Sequence, residues 1–278
     1  MIYFAYDGSL NGDWVARYAI RFAVHSAEKT LLIINVADAE VPADLLSRKV
    51  DYVREACARW QVQSSYQQVP LRGDVFHTLQ QVVPPDKKNQ LVCGLRMRGG
   101  RRGFLAGTVS EKLLGDSHFH VLAIRVVQPG LLGNPCSFLL PVAGHPRKFH
   151  SAWPFFRLFL PEVSEVCVVR IMTVHRFWMA YLTPVQLRTL RAEGHAYVAT
   201  IISEILQGCP TAEFKIDGRV ILSADWPGEI MVQANKMKAG MILLGASERS
   251  RPHRIIHRHP LERILANTPC DVGIYRGL

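Results

Sequence analysis

A loop between a short apolar strand and a helix carries the residues best suited to bind an anion. This segment, CGLRMRGGRRGFLAGTVSEKLL at 93–114, contains four arginines and five glycines. A helix N-terminus presents unpaired amide hydrogens and a partial positive charge, so it binds phosphate readily. Gly107 allows close approach of the backbone, while Thr108 and Ser110 add hydroxyl groups. The loop is therefore predicted to wrap a polyanion, with guanidinium groups supplied by Arg96, Arg98, Arg101 and Arg102.

A second polar group, Asp7-Gly8-Ser9, follows the first apolar run, MIYFAY. In an open parallel sheet, ligands bind beyond the carboxyl ends of the strands where the strand order reverses, so this turn and the basic loop are expected to face each other. Each group also has a purely structural interpretation. Asp7 could cap the first turn or helix, as Asp before Gly often does, and the arginines could form a solvated surface. The position of both groups at strand ends favours ligand contact.

The sequence contains an internal repeat. Residues 110–125, SEKLLGDSHFHVLAIR, align without gaps on 261–276, LERILANTPCDVGIYR, and at the same offset Gly94 falls on Gly245. The starts MIYFAYDGS and SFLLPVAGH also match. Such self-similarity indicates a tandem duplication. We expect a first domain at 1–128, a linker rich in Pro and Gly at 129–135, and a second domain at 136–278.

Each half alternates apolar strands with amphipathic helices. The predicted strands of the first half are MIYFAY, TLLIINVA, SSYQQVPL, QLVCG and HVLAIRVV. Those of the second half are SFLLPVA, EVCVVRIMTV, EFKID, MILLG and VGIYR. Strands that are nearly all apolar and separated by helices imply parallel sheets covered on both faces. The predicted fold class is therefore α/β, with two tandem doubly wound parallel-sheet domains.

These motifs resemble those of the universal stress proteins, in particular their tandem two-domain members. That family carries a nucleotide loop of the form G-x-x-G-(nine residues)-G-[S/T], and Gly94, Met97 and Gly107-Thr108 occupy those positions here. Asp7-Gly8-Ser9 matches the family's early D-G-S. The resemblance covers essentially the whole chain and implies an adenine nucleotide alpha hydrolase-like fold. It also implies that HVLAIRVV and DVGIYR pair within the chain as an intrachain pseudo-dimer, which would cover two apolar edges.

The resemblance implies that the first domain holds an adenine nucleotide, ATP, ADP or AMP, with or without Mg²⁺. Asp7 would lie beside the adenosine, Gly94 under the ribose, and the helix start at 107–110 would receive the phosphates. Met97 replaces the family's second glycine, and a positive φ there would cost about 1 kcal/mol, so the number of phosphates stays open. The residues implied in nucleotide binding are Tyr6, Asp7, Gly8, Ser9, Val36, Gly94, Arg96, Met97, Arg98, Gly107, Thr108, Val109 and Ser110.

The second domain lacks the matching residues. Ala143 stands at the position of Asp7, and Arg258-His259 stands at that of Gly107-Thr108. We expect this second site to be empty or to bind another anion. Three histidines of the same loop have spacings that could suit a metal, but a basic anion-binding loop explains them better and no metal site is expected: His253, His257 and His259.

Composition and missing motifs narrow the function class. The 33 Lys and Arg against 23 Asp and Glu give a net charge of +10 and a pI near 9.5, which suggests an anionic partner. The sequence has no G-x-x-x-x-G-K-[ST] phosphate loop and no G-x-S-x-G nucleophile elbow. We expect a non-enzymatic regulator, with slow hydrolysis of a bound triphosphate left open. A cytoplasmic location is expected, because the cysteines are scattered and no run is long and apolar enough to span a bilayer.

Two other functions stay open from the sequence. The chain could be a nucleotide-independent interaction module that regulates a membrane transporter or an acidic partner through its basic loops and the aromatic run HRFWMAYL at 175–182. We expect that run to pack in the core or in a homodimer rather than to stand exposed. The third function is non-specific nucleic-acid binding, which the basic charge permits but no recognisable motif supports.

Overall fold

The first half of the chain folds as five strands and four helices among the residues described. The structure, a computed structural model, describes residues 1–37, 41–95, 108–143, 152–209, 213–246 and 260–277. The first-half elements are β1 (Ile2–Ala5), α1 (Leu10–His25), β2 (Thr30–Ala37), α2 (Ala43–Arg59), β3 (Gln63–Pro70), α3 (Val75–Val82), β4 (Gln90–Gly94), α4 (Val109–Gly115) and β5 (His120–Arg125).

The second half repeats this alternation with one additional short helix. Its described elements are β6 (Ser137–Val142), α5 (Trp153–Phe159), β7 (Glu165–Thr173), α6 (Arg176–Met179), α7 (Pro184–Gly208), β8 (Lys215–Ser223), α8 (Trp226–Lys236), β9 (Met241–Gly245), α9 (Pro260–Asn267) and β10 (Asp271–Arg276). A 3₁₀ turn at Pro129–Leu131 lies between the halves, inside the segment predicted as a linker.

The strands of both halves join in one sheet with the order β3-β2-β1-β4-β5-β10-β9-β6-β7-β8. All neighbours are parallel except β5 and β10, which are antiparallel and place Ala123 opposite Ile274. The predicted pairing of the last strands within one chain is thus confirmed. Because both strands are buried and apolar, their union covers two edges that would otherwise be free to pair with another chain.

Helices cover both faces of the sheet. One apolar layer contains side chains of α1, α2, α5 and α7, and the other contains side chains of α3, α4, α8 and α9. Each layer runs across both halves, so the duplicated units share their core. The predicted α/β class with a parallel sheet between two helical layers is confirmed.

A buried carboxylate ties the halves together at the start of β10. The Oη of Tyr18 on α1 donates to Oδ2 of Asp271 at 2.6 Å, and the amides of Val127 and Gln128 donate to Oδ1 at 2.7 Å each. Burial raises the pKa of Asp271, and its hydrogen bonds act in the opposite direction. These contacts fix the first helix of one half against the last strand of the other.

The structure corrects one prediction for the second half and one alternative of another. EFKID was expected to be the whole strand, but β8 continues to Ser223. Asp217-Gly218 resembles a turn, yet a Cβ at Gly218 would lie 2.6 Å from Val198 on α7, so the glycine allows the helix to approach the strand. The run HRFWMAYL does not pack in the core of the chain: four of its residues form α6, and Phe177, Trp178 and Tyr181 are mostly exposed. Its packing in a homodimer stays a prediction.

Candidate functional site

The strand order reverses between β1 and β4, so the carboxyl ends of these strands form the crevice where a doubly wound sheet binds its ligands. Ala5 pairs with Cys93, which places the turn after β1 beside Gly94. Burial raises the pKa of the Cys93 thiol to about 12, and the nearby Asp7 carboxylate contributes in the same direction. Cys93 is therefore a protonated core residue beneath the crevice rather than a nucleophile.

Asp7 and Ser9 build the turn from β1 into α1. Oδ1 of Asp7 accepts hydrogen bonds from the amide of Ser9 at 2.9 Å and from its hydroxyl at 2.7 Å. The Ser9 hydroxyl in turn accepts from the amide of Gly12 and caps α1. Gly8 has φ +71°, a conformation that L side chains rarely adopt. The structural interpretation of Asp7 is thus correct, while its contact with an adenosine stays a prediction.

A hydrogen-bonded cluster of three side chains, Lys49, Asp13 and Tyr6, stabilises this turn. Lys49 on α2 donates to the carbonyl of Gly8 and to Oδ2 of Asp13, each at 2.7 Å. The Tyr6 hydroxyl donates to the other oxygen of Asp13. Burial, followed by the hydrogen bond to Asp13, raises the pKa of Tyr6, so the phenol keeps its proton. The sequence offers no sign of Lys49, since its partners lie more than 35 residues away.

The end of β2 forms a further wall of the crevice. Nδ2 of Asn35 donates to the Tyr6 carbonyl at 2.9 Å, and the Tyr6 amide donates to the carbonyl of Ile34. The main chain of Tyr6, predicted to frame an adenine, is therefore hydrogen-bonded to β2 in this structure. Val36 follows Asn35 with a buried side chain.

Asn11 lies directly against Gly94 and is the nearest polar side chain to the predicted ribose position. Its Nδ2 is 2.6 Å from the position that a Cβ on residue 94 would take. Asn11 is in the first turn of α1, two residues after the Ser9 cap. The sequence signal that could have identified Asn11 is its position in the first turn of the helix that follows Asp7-Gly8-Ser9.

The start of α4 carries the predicted phosphate-binding hydroxyls. Thr108 caps the helix by accepting from the Glu111 amide at 3.2 Å, and its hydroxyl lies 3.2 Å from that of Ser110. Both side chains are buried, and Val109 between them is half-buried. The other loop residues of the prediction lie outside the described residues: Arg96, Met97, Arg98 and Gly107.

An ion pair of the same kind orients the helix after the crevice in each half. Asp74 caps α3 and accepts from Nζ of Lys112 on α4 at 2.6 Å. Asp225 caps α8 and accepts from both terminal nitrogens of Arg263 on α9, at 2.7 and 2.9 Å. The pKa of Asp74 is lowered by the His77 amide and then by Lys112, and that of Asp225 chiefly by Arg263. The duplication has thus kept these pairs while the crevices diverged.

Among the described residues of the second half, two tyrosines lie near the carboxyl ends of β6 and β9. The hydroxyl of Tyr275 lies 3.1 Å from a Cβ built on Gly245, the counterpart of Gly94. The hydroxyl of Tyr197 donates to the carbonyl of Ala143, and the Arg170 guanidinium stacks over the Tyr197 ring at 4.4 Å. Arg170 also donates to the carbonyl of Val142. Tyr275 thus contacts Gly245 as Asn11 contacts Gly94 in the first half. Whether the second site is empty or binds another anion stays a prediction.

The part of the chain that the structure describes holds no group of three His, Cys, Asp or Glu side chains that could bind a metal. The histidines considered for such a site lie outside it: His253, His257 and His259. Within the same described ranges, no helix has both the length and the apolar character needed to cross a bilayer.

Solved structures with the same fold include universal stress proteins. A universal stress protein from Archaeoglobus fulgidus DSM 4304 superposes with a TM-score of 0.65 at 14% identity, over 99% of this chain and 96% of that one. A putative universal stress protein from Pseudomonas aeruginosa UCBPP-PA14 gives 0.59 at 14% identity, over 98% and 91%. The cytoplasmic domain of a prokaryotic cation chloride cotransporter gives 0.58 at 10% identity, over 99% and 95%.

No family model and no curated protein matches the sequence. At these identities the likeness concerns the fold. The chain has the fold of tandem universal stress proteins along its whole length, and the predicted resemblance is confirmed at that level.

Proposed function

We propose that the first half of this chain binds an adenine nucleotide and that the protein is a non-enzymatic regulator of the stress-response type. The observation that carries the proposal is the contrast between the two crevices. The small amide of Asn11 lies against Gly94, whereas the phenol of Tyr275 lies against Gly245. The first crevice therefore has a small amide at the position predicted for the ribose, where the second has a tyrosine.

The described residues at this crevice suit a nucleoside with a phosphate tail. Asn11 and Asp7 offer an amide and a carboxylate at the end of β1, where hydrogen bonds to the ribose and base would be made. Thr108 and Ser110 place hydroxyls at the start of α4. The arginines of the loop before α4 would add charge for phosphate, and their number favours more than one phosphate group.

The test is calorimetric titration of the full chain with AMP, ADP and ATP, each with and without Mg²⁺, after bound nucleotide has been released and identified. Gly94→Ala is expected to weaken binding about tenfold or more, because its Cβ would displace Asn11 into the ligand space. The matched control is Gly245→Ala, at the equivalent position of the second half, which should leave affinity unchanged.

Absence of nucleotide from the purified protein, together with no heat of binding, would overturn the proposal. Equal losses in the two alanine variants would place the ligand elsewhere. Steeply salt-dependent binding to random DNA in a nucleotide-free protein would favour the nucleic-acid function instead.

A second candidate is the nucleotide-independent interaction module. It is supported by the exposed aromatic run after β7 and by the occurrence of the same fold in the cytoplasmic domain of a cation chloride cotransporter. A protein that binds no nucleotide but is retained by a transporter's cytoplasmic domain would fit this candidate.

A further inference from the structure

Five large apolar side chains stand exposed within nine residues between β7 and the second turn of α7. Phe177 is 76%, Trp178 68% and Tyr181 78% exposed, and Met179 and Val185 complete the group. Single exposed apolar residues are ordinary, but a contiguous cluster of this kind marks a binding surface. We call these five residues the aromatic knob.

Local hydrogen bonds and a ring stack shape the backbone that carries the knob. The His175 side chain accepts from the amide of Phe177, and the two rings stack at 5.5 Å with 19° between their planes. Thr183 and Gln186 form a reciprocal capping box that starts α7. The helix caps and the ring stack hold the aromatic side chains in place before binding, which lowers the entropy cost of binding through them.

The charge around the knob has one sign. Between Glu165 and Glu193 the sequence holds no Asp or Glu, and the exposed Arg176, Arg188 and Arg191 lie in that interval. Among the described neighbours, Asp225 follows the adjacent strand β8 and is neutralised by its bidentate pair with Arg263. An exposed aromatic segment that carries arginines and no acidic residue is complementary to an anionic surface.

The shape of the knob distinguishes the classes of anionic partner. Side chains that line a groove are partly covered by its walls. The three aromatic side chains of the knob are two-thirds or more exposed, so they project instead of lining a groove. The first ten residues of α7 contain no buried side chain, so the knob sits on a projecting helix start. A projecting tip that carries Trp, Tyr and Phe beside arginine suits the interfacial region of a bilayer, where amphipathic rings lie at the headgroup level.

We propose that the aromatic knob inserts into the headgroup region of an anionic lipid bilayer and that Arg176, Arg188 and Arg191 contact the lipid phosphates. This surface is independent of the nucleotide crevice. The strands of the two halves run in opposite directions across the β5–β10 junction. The carboxyl ends of β1 and of β7 therefore point towards opposite ends of the strands in the sheet. The protein can therefore hold a nucleotide at the carboxyl ends of the first-half strands while the opposite side of the molecule contacts a membrane.

The experiment measures partition of the full chain onto vesicles of phosphatidylcholine alone and of phosphatidylcholine mixed with phosphatidylserine. We expect binding to the mixed vesicles, with a blue shift of tryptophan fluorescence that is reduced in Trp178→Phe. The triple variant Phe177→Ser, Trp178→Ser, Tyr181→Ser is expected to lose about tenfold or more of the partition coefficient. Arg188→Gln with Arg191→Gln should lose about tenfold, and added salt should weaken wild-type binding.

The matched control is Tyr52→Ser, which removes an aromatic ring of comparable exposure from α2 and should partition like the wild type. Unchanged partition in the triple variant would overturn the proposal, as would equal binding to neutral and anionic vesicles. A wild-type dimer seen by sedimentation velocity that dissociates in the triple variant, without vesicle binding by either protein, would show that a second copy covers the knob and would also overturn it.

Discussion

Lys49 contacts two parts of the β1–α1 turn that are distant from it in sequence, and its role is stabilising. Its ammonium group satisfies the Gly8 carbonyl and neutralises Asp13, with both side chains about one-third exposed or less. Lys49→Met is expected to lower the free energy of unfolding by about 1–2 kcal/mol, measured by urea denaturation. The control is Lys215→Met, whose pair with Glu165 spans 3.4 Å on an exposed surface and should cost less than about 0.5 kcal/mol. Equal costs in the two variants would contradict the stabilising role assigned to Lys49.

Residues whose role is local could be predicted from the sequence, and residues that act across the fold could not. Ser9 and Thr108 cap helices through bonds to amides three residues ahead, so a short motif is enough to identify them. Lys49 reaches its partners only after α2 packs on α1, and no spacing in the chain records that. Asn11 and Tyr275 likewise acquire meaning only when a strand places a glycine beside them.

The capping carboxylates of α3 and α8 act at the scale of the element, because each joins two helices. Asp74→Ala removes the α3 cap and the Lys112 contact, and we expect a loss of about 1 kcal/mol in unfolding free energy at neutral pH. Asp225→Ala should cost a similar amount. The control is Asp44→Ala on α2, a helix without a side-chain cap, whose exposed pair with Arg48 should contribute little.

The pH dependence of that loss has a defined sign. The folded-state pKa of Asp74 lies below its ordinary value of 3.8, so its stabilising contribution is complete above about pH 5 and declines as pH falls through the folded pKa. The difference between wild type and Asp74→Ala should therefore shrink in urea titrations repeated at successively lower pH. A difference that grows on acidification would contradict the assignment.

The sequence predicts elements well where hydrophobic period and turn residues agree. The bounds of β2, β4 and β9 match the predicted apolar runs because polar residues or glycine end each of them. β8 was cut short because Asp217-Gly218 resembles a turn, whereas the glycine serves the close packing of α7. α6 was missed because one helical turn of exposed aromatic residues has neither a buried face nor a polar one.

At the scale of the whole molecule, the repeat in the sequence predicted two halves joined by their last strands. It did not predict the hydrogen bonds of Asp271 that stabilise this junction. In the repeat alignment His120 of the first half corresponds to Asp271 of the second, and the two side chains make different contacts. His120 packs edge-on against Phe155, with a pKa lowered by burial, while Asp271 binds Tyr18 and two amides of the segment after β5. The hydrogen bonds of Asp271 with Tyr18, Val127 and Gln128, which we call the Asp271 clamp, therefore join the halves through a carboxylate that the first half does not repeat.

Removal of this clamp should destabilise both halves together. Asp271→Ala leaves a buried phenol and two partly buried amides without an acceptor, so a loss of about 3 kcal/mol in unfolding free energy is expected. Asp271→Asn retains an acceptor for the amides, and Tyr18→Phe removes a single bond, so each should cost less than the alanine variant. Calorimetry is the suitable measurement, because loosening of the junction should also separate the unfolding transitions of the halves. The exposed Asp51→Ala serves as control, and a loss in Asp271→Ala no larger than in that variant would refute the clamp.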